Sequence, residues 1–250
     1  MEIELLLVCF GLFVISILYS SVGHGGASGY LAILSLSLYG NMESGWLKQY
    51  AWCLNLIVAA IAFYHYYLEG YFNKKLTFPF IIGSIPFAIL GGFLRIDGVI
   101  YDSLLSVTLI WAAYKLYQTK KEWEVENSIP NLKISISTGA GIGFFSGIIG
   151  VGGGIFLSPI ILLKKWANPK TVAATSALFI WVNSMAGLFG ASISGQLNLE
   201  IKILFPFVIS VLIGGFLGSK FGSRSNESFV KLMLIFVLII AALKRVLELI

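Results

Sequence analysis

The sequence predicts an all-α, polytopic membrane protein in which two inverted repeats each contribute five apolar segments. Three observations predict this fold class: the composition, a series of apolar segments of membrane-spanning length, and features of the first half that recur in the second. Of the 250 residues, 58% are hydrophobic and 12% are charged, whereas a soluble domain has about 25% charged residues. The composition therefore argues against a soluble helical protein.

Ten apolar segments result when the chain is divided at clusters of polar residues, glycine and proline. Most have about 20 residues, enough for a helix to cross roughly 30 Å of hydrocarbon. Segments of this length also argue against an outer-membrane barrel, whose strands have about ten residues. The second and seventh are short, with roughly 13 residues, and cover only about 20 Å. The segments are 4–21, 26–39, 50–68, 76–95, 99–118, 133–149, 153–165, 171–193, 199–219 and 229–250.

The second half of the chain repeats the first. Each half has a glycine-rich run, GHGGAS at 23–28 and GVGGGI at 150–155. Because each half has an odd number of segments, the second copy enters the membrane in the opposite direction, which is typical of secondary transporters. We therefore predict a first membrane repeat at 1–119, a cytoplasmic linker at 120–133 and an inverted second repeat at 134–250. The other matched features are Asn55 with Asn183, Pro79 with Pro206, and 91–92 with 214–215.

Lysine and arginine are distributed unevenly between the two sides of the membrane if the two segments that flank each glycine run form a hairpin. The positive-inside rule then places the linker in the cytoplasm and both termini outside the inner (plasma) membrane. If each pair were one broken helix that crosses once, the two sides would carry nearly equal numbers, so the distribution favours the hairpin. The cytoplasmic set is Lys74, Lys75, Lys115, Lys120, Lys121, Lys133, Lys164, Lys165, Lys170, Lys220, Arg224 and Lys231. The opposite set is Lys48, Arg95, Lys202, Lys244 and Arg245.

The two glycine runs lie between apolar segments, where glycine is costly for a helix. Non-helical backbone at membrane depth occurs only where it is buried in protein or faces a cavity. The helix that follows each run leaves unpaired N–H groups at its N-terminus, and these can bind an anion without a charged side chain. The alternative is that the glycines are small-residue packing surfaces. Because the runs are paired and adjoin short segments, we favour an anion site near the membrane midplane.

The second-half motif SGIIGVGGGIFLSP (146–159), followed by AATSALFIWVNSMAG (173–187), resembles the TauE/SafE family of membrane proteins, often described as sulfite exporters. The resemblance covers nearly the whole chain. It is looser in the first half, where His24 replaces a small apolar residue. The resemblance implies a transporter that exports small sulfur oxyanions or organosulfonates.

The candidate substrate-binding residues lie in the glycine runs and in the segments beside them. Lys48 either pairs with a bound anion or extends to the lipid headgroups. The two matched asparagines either join helices or line the cavity, and the hydroxyl residues either bind oxyanion oxygens or pack. His24 either assists anion binding or carries a coupled proton. The candidates are Ser21, His24, Gly25, Gly26, Lys48, Asn55, Ser146, Gly150, Gly152, Gly153, Gly154, Thr175, Ser176 and Asn183.

Two classes of function fit the sequence. The first is a secondary transporter that works by alternating access, with a passive anion channel as a variant. The second is a membrane enzyme or an assembly subunit, but the sequence has no nucleotide-binding loop, metal-spaced cluster or nucleophile–base pair. We therefore expect no enzyme activity, no metal and no cofactor. The expected partners are a small anion and the lipid bilayer, without nucleic acid. A coupling proton and the oligomeric state are left open.

Overall fold

The computed structural model describes residues 2–94, 129–226, 228–230, 232–233 and 236, and among them the protein is all-α without strands, as predicted. Eight helices have both ends within these ranges. The fifth predicted segment, most of the tenth, Arg95 and most of the linker lie outside the described residues. The helices are α1 (Glu2–Ser20), α2 (Ala27–Ser35), α3 (Ser44–Leu68), α4 (Lys74–Phe93), α5 (Leu132–Ile149), α6 (Gly154–Leu163), α7 (Pro169–Ile193) and α8 (Ile201–Arg224).

Six of these helices are long and apolar enough to cross a membrane, so the protein is a multi-pass membrane protein. The other two, α2 and α6, have 9 and 10 residues and are the short segments that the sequence predicts. Large apolar side chains are exposed along α1, α4 and α8, for example Leu6, Ile82 and Phe205. Such a surface is a liability in water but suits contact with lipid.

Two helices extend beyond the predicted apolar segments by more than one helical turn. The third segment was placed at 50–68, but α3 begins at Ser44. The added turn contains Gln49, which is buried because its Nε2 donates to the Gly45 and Gln196 carbonyl oxygens at 2.9 and 2.8 Å. Likewise, α8 continues past 219 to Arg224. Hydropathy underestimates the length of both helices, because polar residues near their ends belong to the helix.

Helices α3 and α7 form the centre of the molecule, and they pack against each other. The remaining helix contacts occur in matched pairs. Helix α1 packs on α8 as α5 packs on α4; α3 contacts α8 as α7 contacts α4; and α2 lies on α3 as α6 lies on α7. A duplicated unit predicts this pattern. The inverted direction of the second copy and the boundaries of the repeats stay predictions.

The α4–α5 and α1–α8 interfaces are both built on glycines spaced four residues apart, which we call the α5 stripe and the α8 stripe. A Cβ atom on any of these glycines would overlap a backbone carbonyl oxygen of the facing helix. The helices therefore approach closely, as in other small-residue interfaces between membrane helices. The α5 stripe pairs Gly139 with Phe80, Gly143 with Ser84 and Gly147 with Ala88; the α8 stripe pairs Gly214 with Phe13, Gly218 with Ile17 and Gly222 with Ser21.

Candidate functional site: two glycine turns

The first glycine run forms turn 1, residues 21–26, between α1 and α2. Gly23, three residues after the end of α1, has a φ of 73°, and the His24 N–H donates to the Tyr19 carbonyl at 2.9 Å. Helix α2 begins after Gly26, which has a φ of 101°. Positive φ values at both ends are readily adopted only by glycine. Glycine at these positions is therefore required by the break between α1 and α2.

The second run forms turn 2, residues 150–153, with the same construction. Gly150 ends α5 with a φ of 86°, and Gly153 precedes α6 with a φ of 83°. Gly152 between them also has a positive φ, of 74°. Both predicted hairpins thus contain a helix-ending glycine and a helix-starting glycine.

Asn55 contacts both turns. Its Oδ1 accepts from the Ala27 N–H at 3.0 Å, immediately after turn 1. Its Nδ2 donates to Ser184 Oγ at 3.2 Å and lies 2.8 Å from the position of a Cβ on Gly152 of turn 2. Asn55 lies near the midpoint of the 25-residue helix α3, and Ile180, which also adjoins Gly25 and Gly152, lies near the midpoint of the 25-residue α7. The turns therefore meet halfway along the two central helices.

Neither turn provides a side-chain cap for the helix that follows it. Asparagine side chains accept backbone N–H bonds at the starts of α4, α5 and α7, whereas α2 and α6 start at glycines. The Gly152, Gly153 and Gly154 N–H groups have no acceptor in the described part of the chain. Because a helix N-terminus carries partial positive charge, these donors favour a bound anion.

A chain of hydroxyl groups joins the two halves beside the turns. Ser158 Oγ on α6 lies 2.6 Å from Ser176 Oγ on α7 and 3.3 Å from His24 Nε2 in turn 1. All three side chains are buried. His24 Nδ1 lies 3.1 Å from the Val22 carbonyl oxygen. Sequence analysis identified His24 and Ser176 but missed Ser158, whose only signal is that it directly precedes a proline in the short helix.

Lys48 lies beside turn 2. Its side chain is buried at 5% exposure, and its Cγ lies 2.8 Å from the position of a Cβ on Gly150. Thr175 Oγ1 pairs with Thr77 Oγ1 on α4 at 2.9 Å, so its hydroxyl is used in a contact between helices. Ser21 donates from its Oγ to the Leu18 carbonyl at 2.6 Å, so its hydroxyl is used at the end of α1.

Four buried side-chain polar atoms lack a hydrogen-bond partner among the described residues: Tyr30 Oη, Trp52 Nε1, Ser146 Oγ and Asn183 Oδ1. The Tyr30 ring adjoins Gly26, and the Ser146 Cβ lies 3.3 Å from the position of a Cβ on Gly153. An unpaired buried polar group costs about 1–3 kcal/mol. Tyr30 and Trp52 were not identified from the sequence, where an aromatic residue in an apolar segment indicates packing.

The asparagines that align in sequence differ in their contacts. Asn55 bonds across helices, whereas Asn183 Nδ2 donates to the Phe179 carbonyl of its own helix at 2.8 Å. Among the described residues, Asn183 therefore does not bond to the start of α6 in the way that Asn55 bonds to the start of α2. Lys170, which precedes the predicted eighth segment at 171–193, is the second residue of α7 and is buried at 7% exposure. Its predicted place on the cytoplasmic side stays a prediction.

A sequence model of the family described as sulfite exporter TauE/SafE matches residues 7–245. The chain belongs to the TauE/SafE family. The family assignment from the motifs is thus confirmed. It places the protein among membrane transporters, which agrees with the expectation that it is not an enzyme.

The chain is similar to several curated proteins that are named as probable membrane transporters. It is 34% identical to the probable membrane transporter protein y4hK of Sinorhizobium fredii, over 98% of this chain and 99% of the relative. It is 27% identical to a probable membrane transporter protein of Methanocaldococcus jannaschii, over 65% of this chain and 64% of that protein. Similarity to the probable membrane transporter protein YunE of Bacillus subtilis is 31% over 34% of this chain and 29% of the relative. No solved structure matches the chain.

Proposed function

We propose that this TauE/SafE protein is a secondary transporter that exports small sulfur-containing anions, such as sulfite, sulfonates or related oxyanions, by alternating access. The family description names sulfite export, and the long alignment with a probable membrane transporter supports transport. In this proposal the anion binds to the N–H groups that follow the two glycine turns, near the middle of the inner membrane.

The observation that carries the proposal is the meeting of turns 1 and 2 at Asn55. Two glycine-started helices, α2 and α6, begin where the midpoints of α3 and α7 lie together. An oxyanion has several acceptor oxygens and can accept from backbone N–H groups of both helices. Binding by partial charges is weaker than binding by fixed cations, which allows release on the other side of the membrane.

Side chains beside turn 2 complete the proposed site. The Ser146 hydroxyl is buried without a partner among the described residues, and it supplies a donor next to Gly153. Lys48 supplies a compact positive charge next to Gly150. Asn55 positions both turns. The hydroxyls of Ser158 and Ser176 lie at the border of the site, where Ser158 contacts His24 of turn 1.

If export is coupled to a proton, the candidate proton carrier in the turns is His24. His24 is the titratable side chain of residues 21–26 and 150–153, and it is hydrogen-bonded to Ser158 of the other half. In a proton-coupled transporter, an imposed pH gradient accelerates flux through the wild-type protein, and His24→Gln abolishes the acceleration. Equal acceleration in the variant excludes His24 as the carrier.

The proposed function is tested with purified protein in liposomes. The liposomes are loaded with one anion at a time: sulfite, thiosulfate, sulfoacetate or sulfate. Efflux is compared with that from equally loaded liposomes without protein. We expect saturable efflux of at least one sulfur anion and acceleration by the same anion on the opposite side. Non-saturable flux without such exchange indicates a channel, and absence of flux across the panel overturns the transporter proposal.

A further inference from the structure

A buried lysine outside the proposed site lies next to turn 1. Lys170 Nζ donates to Tyr71 Oη at 2.9 Å and to the Ser223 carbonyl oxygen at 3.1 Å. It also lies 4.6 Å from the centre of the Tyr71 ring. The lysine thus joins the start of α7, the α3–α4 loop and the end of α8.

Each neighbour of Lys170 leads directly to turn 1. Ala173, one helical turn further along α7, has the carbonyl oxygen that a Cβ on Gly23 would overlap. The Tyr71 ring lies 6.4 Å from that of Tyr66, whose hydroxyl donates to the Ser21 carbonyl at 2.6 Å. Lys170 is therefore connected to turn 1 through the side chains of Tyr71 and Tyr66.

The position corresponds to that of Lys48 on the other side of the molecule. Lys48 lies in the first two turns of α3, next to turn 2 of the second half, and Lys170 lies in the first turn of α7, next to turn 1 of the first half. The repeat alignment does not reveal this relation, because Lys48 aligns with Ser176. Each central helix thus brings one buried lysine to the turn of the opposite half.

Local stability accounts for only part of this arrangement. A cation in the first turn of a helix faces the positive end of the helix dipole, so Lys170 is unfavourable for α7. Its contact with the Ser223 carbonyl favours the end of α8. The groups that hold the ammonium are a hydroxyl, a carbonyl and a ring face, and no carboxylate among the described residues lies within 4.0 Å of it. Burying an ammonium is costly when the described residues around it supply only neutral groups, and a bound anion lowers that cost.

We infer that Lys170, with the Tyr71 hydroxyl, forms an anion subsite between turn 1 and the face of the molecule that carries Lys164 and Lys165. The inference rests on the proposed function, because the ligand is the transported oxyanion on its way to the turns. The ammonium binds an oxyanion oxygen in place of the Ser223 carbonyl, and the Tyr71 hydroxyl donates to a second oxygen. Lys48 performs the corresponding role at turn 2.

The test measures sulfite transport in liposomes with the protein in one orientation, with sulfite added to one side at a time. Lys170→Gln should raise the half-saturating concentration about tenfold for sulfite added on the Lys164 side. The change should be smaller from the opposite side, where Lys48→Gln should have the larger effect. Lys164→Gln is the matched control, because it removes the same charge from an exposed position and should leave both values unchanged.

A second variant separates anion binding from a structural tie. Tyr71→Phe removes the hydroxyl but keeps the lysine, so it should raise the same half-saturating concentration less than Lys170→Gln does. If Lys170 only ties α7 to α8, Lys170→Gln lowers the melting temperature and leaves the half-saturating concentrations equal to those of Lys164→Gln. That result, with flux through the wild-type protein intact, overturns the inference about Lys170. If the proposed function itself is wrong, the wild-type protein shows no flux.

Discussion

Glycine has different roles in the two stripes and in the two turns. In the α5 and α8 stripes it lies within helices and allows backbone carbonyls of the facing helix to approach. In the turns it adopts positive φ and precedes helices whose N-cap glycine provides no side-chain cap. Glycine therefore serves two separate purposes in this protein. Close packing of the stripes supports the fold, whereas the turns supply donors for the proposed anion.

The largest expected effect is on stability, from a substitution in the α5 stripe. Gly143→Ala places a methyl group against the Ser84 carbonyl, and a backbone atom cannot rotate away as a side chain can. We expect a loss of about 2 kcal/mol or more in the free energy of unfolding, measured by denaturant titration in detergent micelles. Gly141→Ala is the control, because a Cβ there meets nothing within 4 Å. Equal stability of the two variants would contradict the role of the stripe.

The next effect should appear in transport, from the corresponding substitution in turn 2. Gly152→Ala adds a Cβ at a φ of 74°, 2.8 Å from Asn55 Nδ2. The backbone strain is about 1–2 kcal/mol, so the protein should still fold. The displaced turn should lower the maximal rate of sulfite efflux about tenfold or more. If Gly152→Ala and Gly143→Ala reduce stability and efflux in the same proportion, the distinction between turns and stripes is lost.

A smaller effect should come from the charge beside turn 2. Lys48→Gln removes a buried cation next to Gly150 and should raise the half-saturating sulfite concentration about tenfold. Lys202→Gln, at the exposed start of α8, removes the same charge without touching the turn. Concentration-dependent efflux measures both. Identical curves for the two variants would assign Lys48 to the headgroup interaction considered from the sequence.

The smallest expected effect is also the most diagnostic. Ser146 lies on α5, one residue before the last glycine of the stripe, and its buried hydroxyl has no partner among the described residues. Ser146→Ala should therefore leave the melting temperature unchanged or raise it slightly, while weakening sulfite affinity by a few fold. Ser158→Ala, which removes a hydroxyl with two partners, should lower the melting temperature. A Ser146→Ala variant with wild-type affinity removes this hydroxyl from the proposed site.

Most of the architecture follows from local sequence. Composition and segment length identify a helical membrane protein, because hydrophobic length reports directly on the medium around a helix. The short helices and the helix breaks at 21–26 and 150–153 follow from glycine, which readily adopts positive φ. The helix ends were less accurate, since Gln49 and Arg224 lie in helices although they are polar.

The sequence by itself determined the class of protein, the two glycine turns and the family. Only the tertiary structure decided that Asn55 joins the turns, that Thr175 pairs with Thr77 on α4, and that Lys170 is buried beside turn 1. The physical reason is that glycine conformation and helix length are local properties. The partner of a buried polar side chain depends on which helix faces meet, and that depends on packing between segments far apart in the chain.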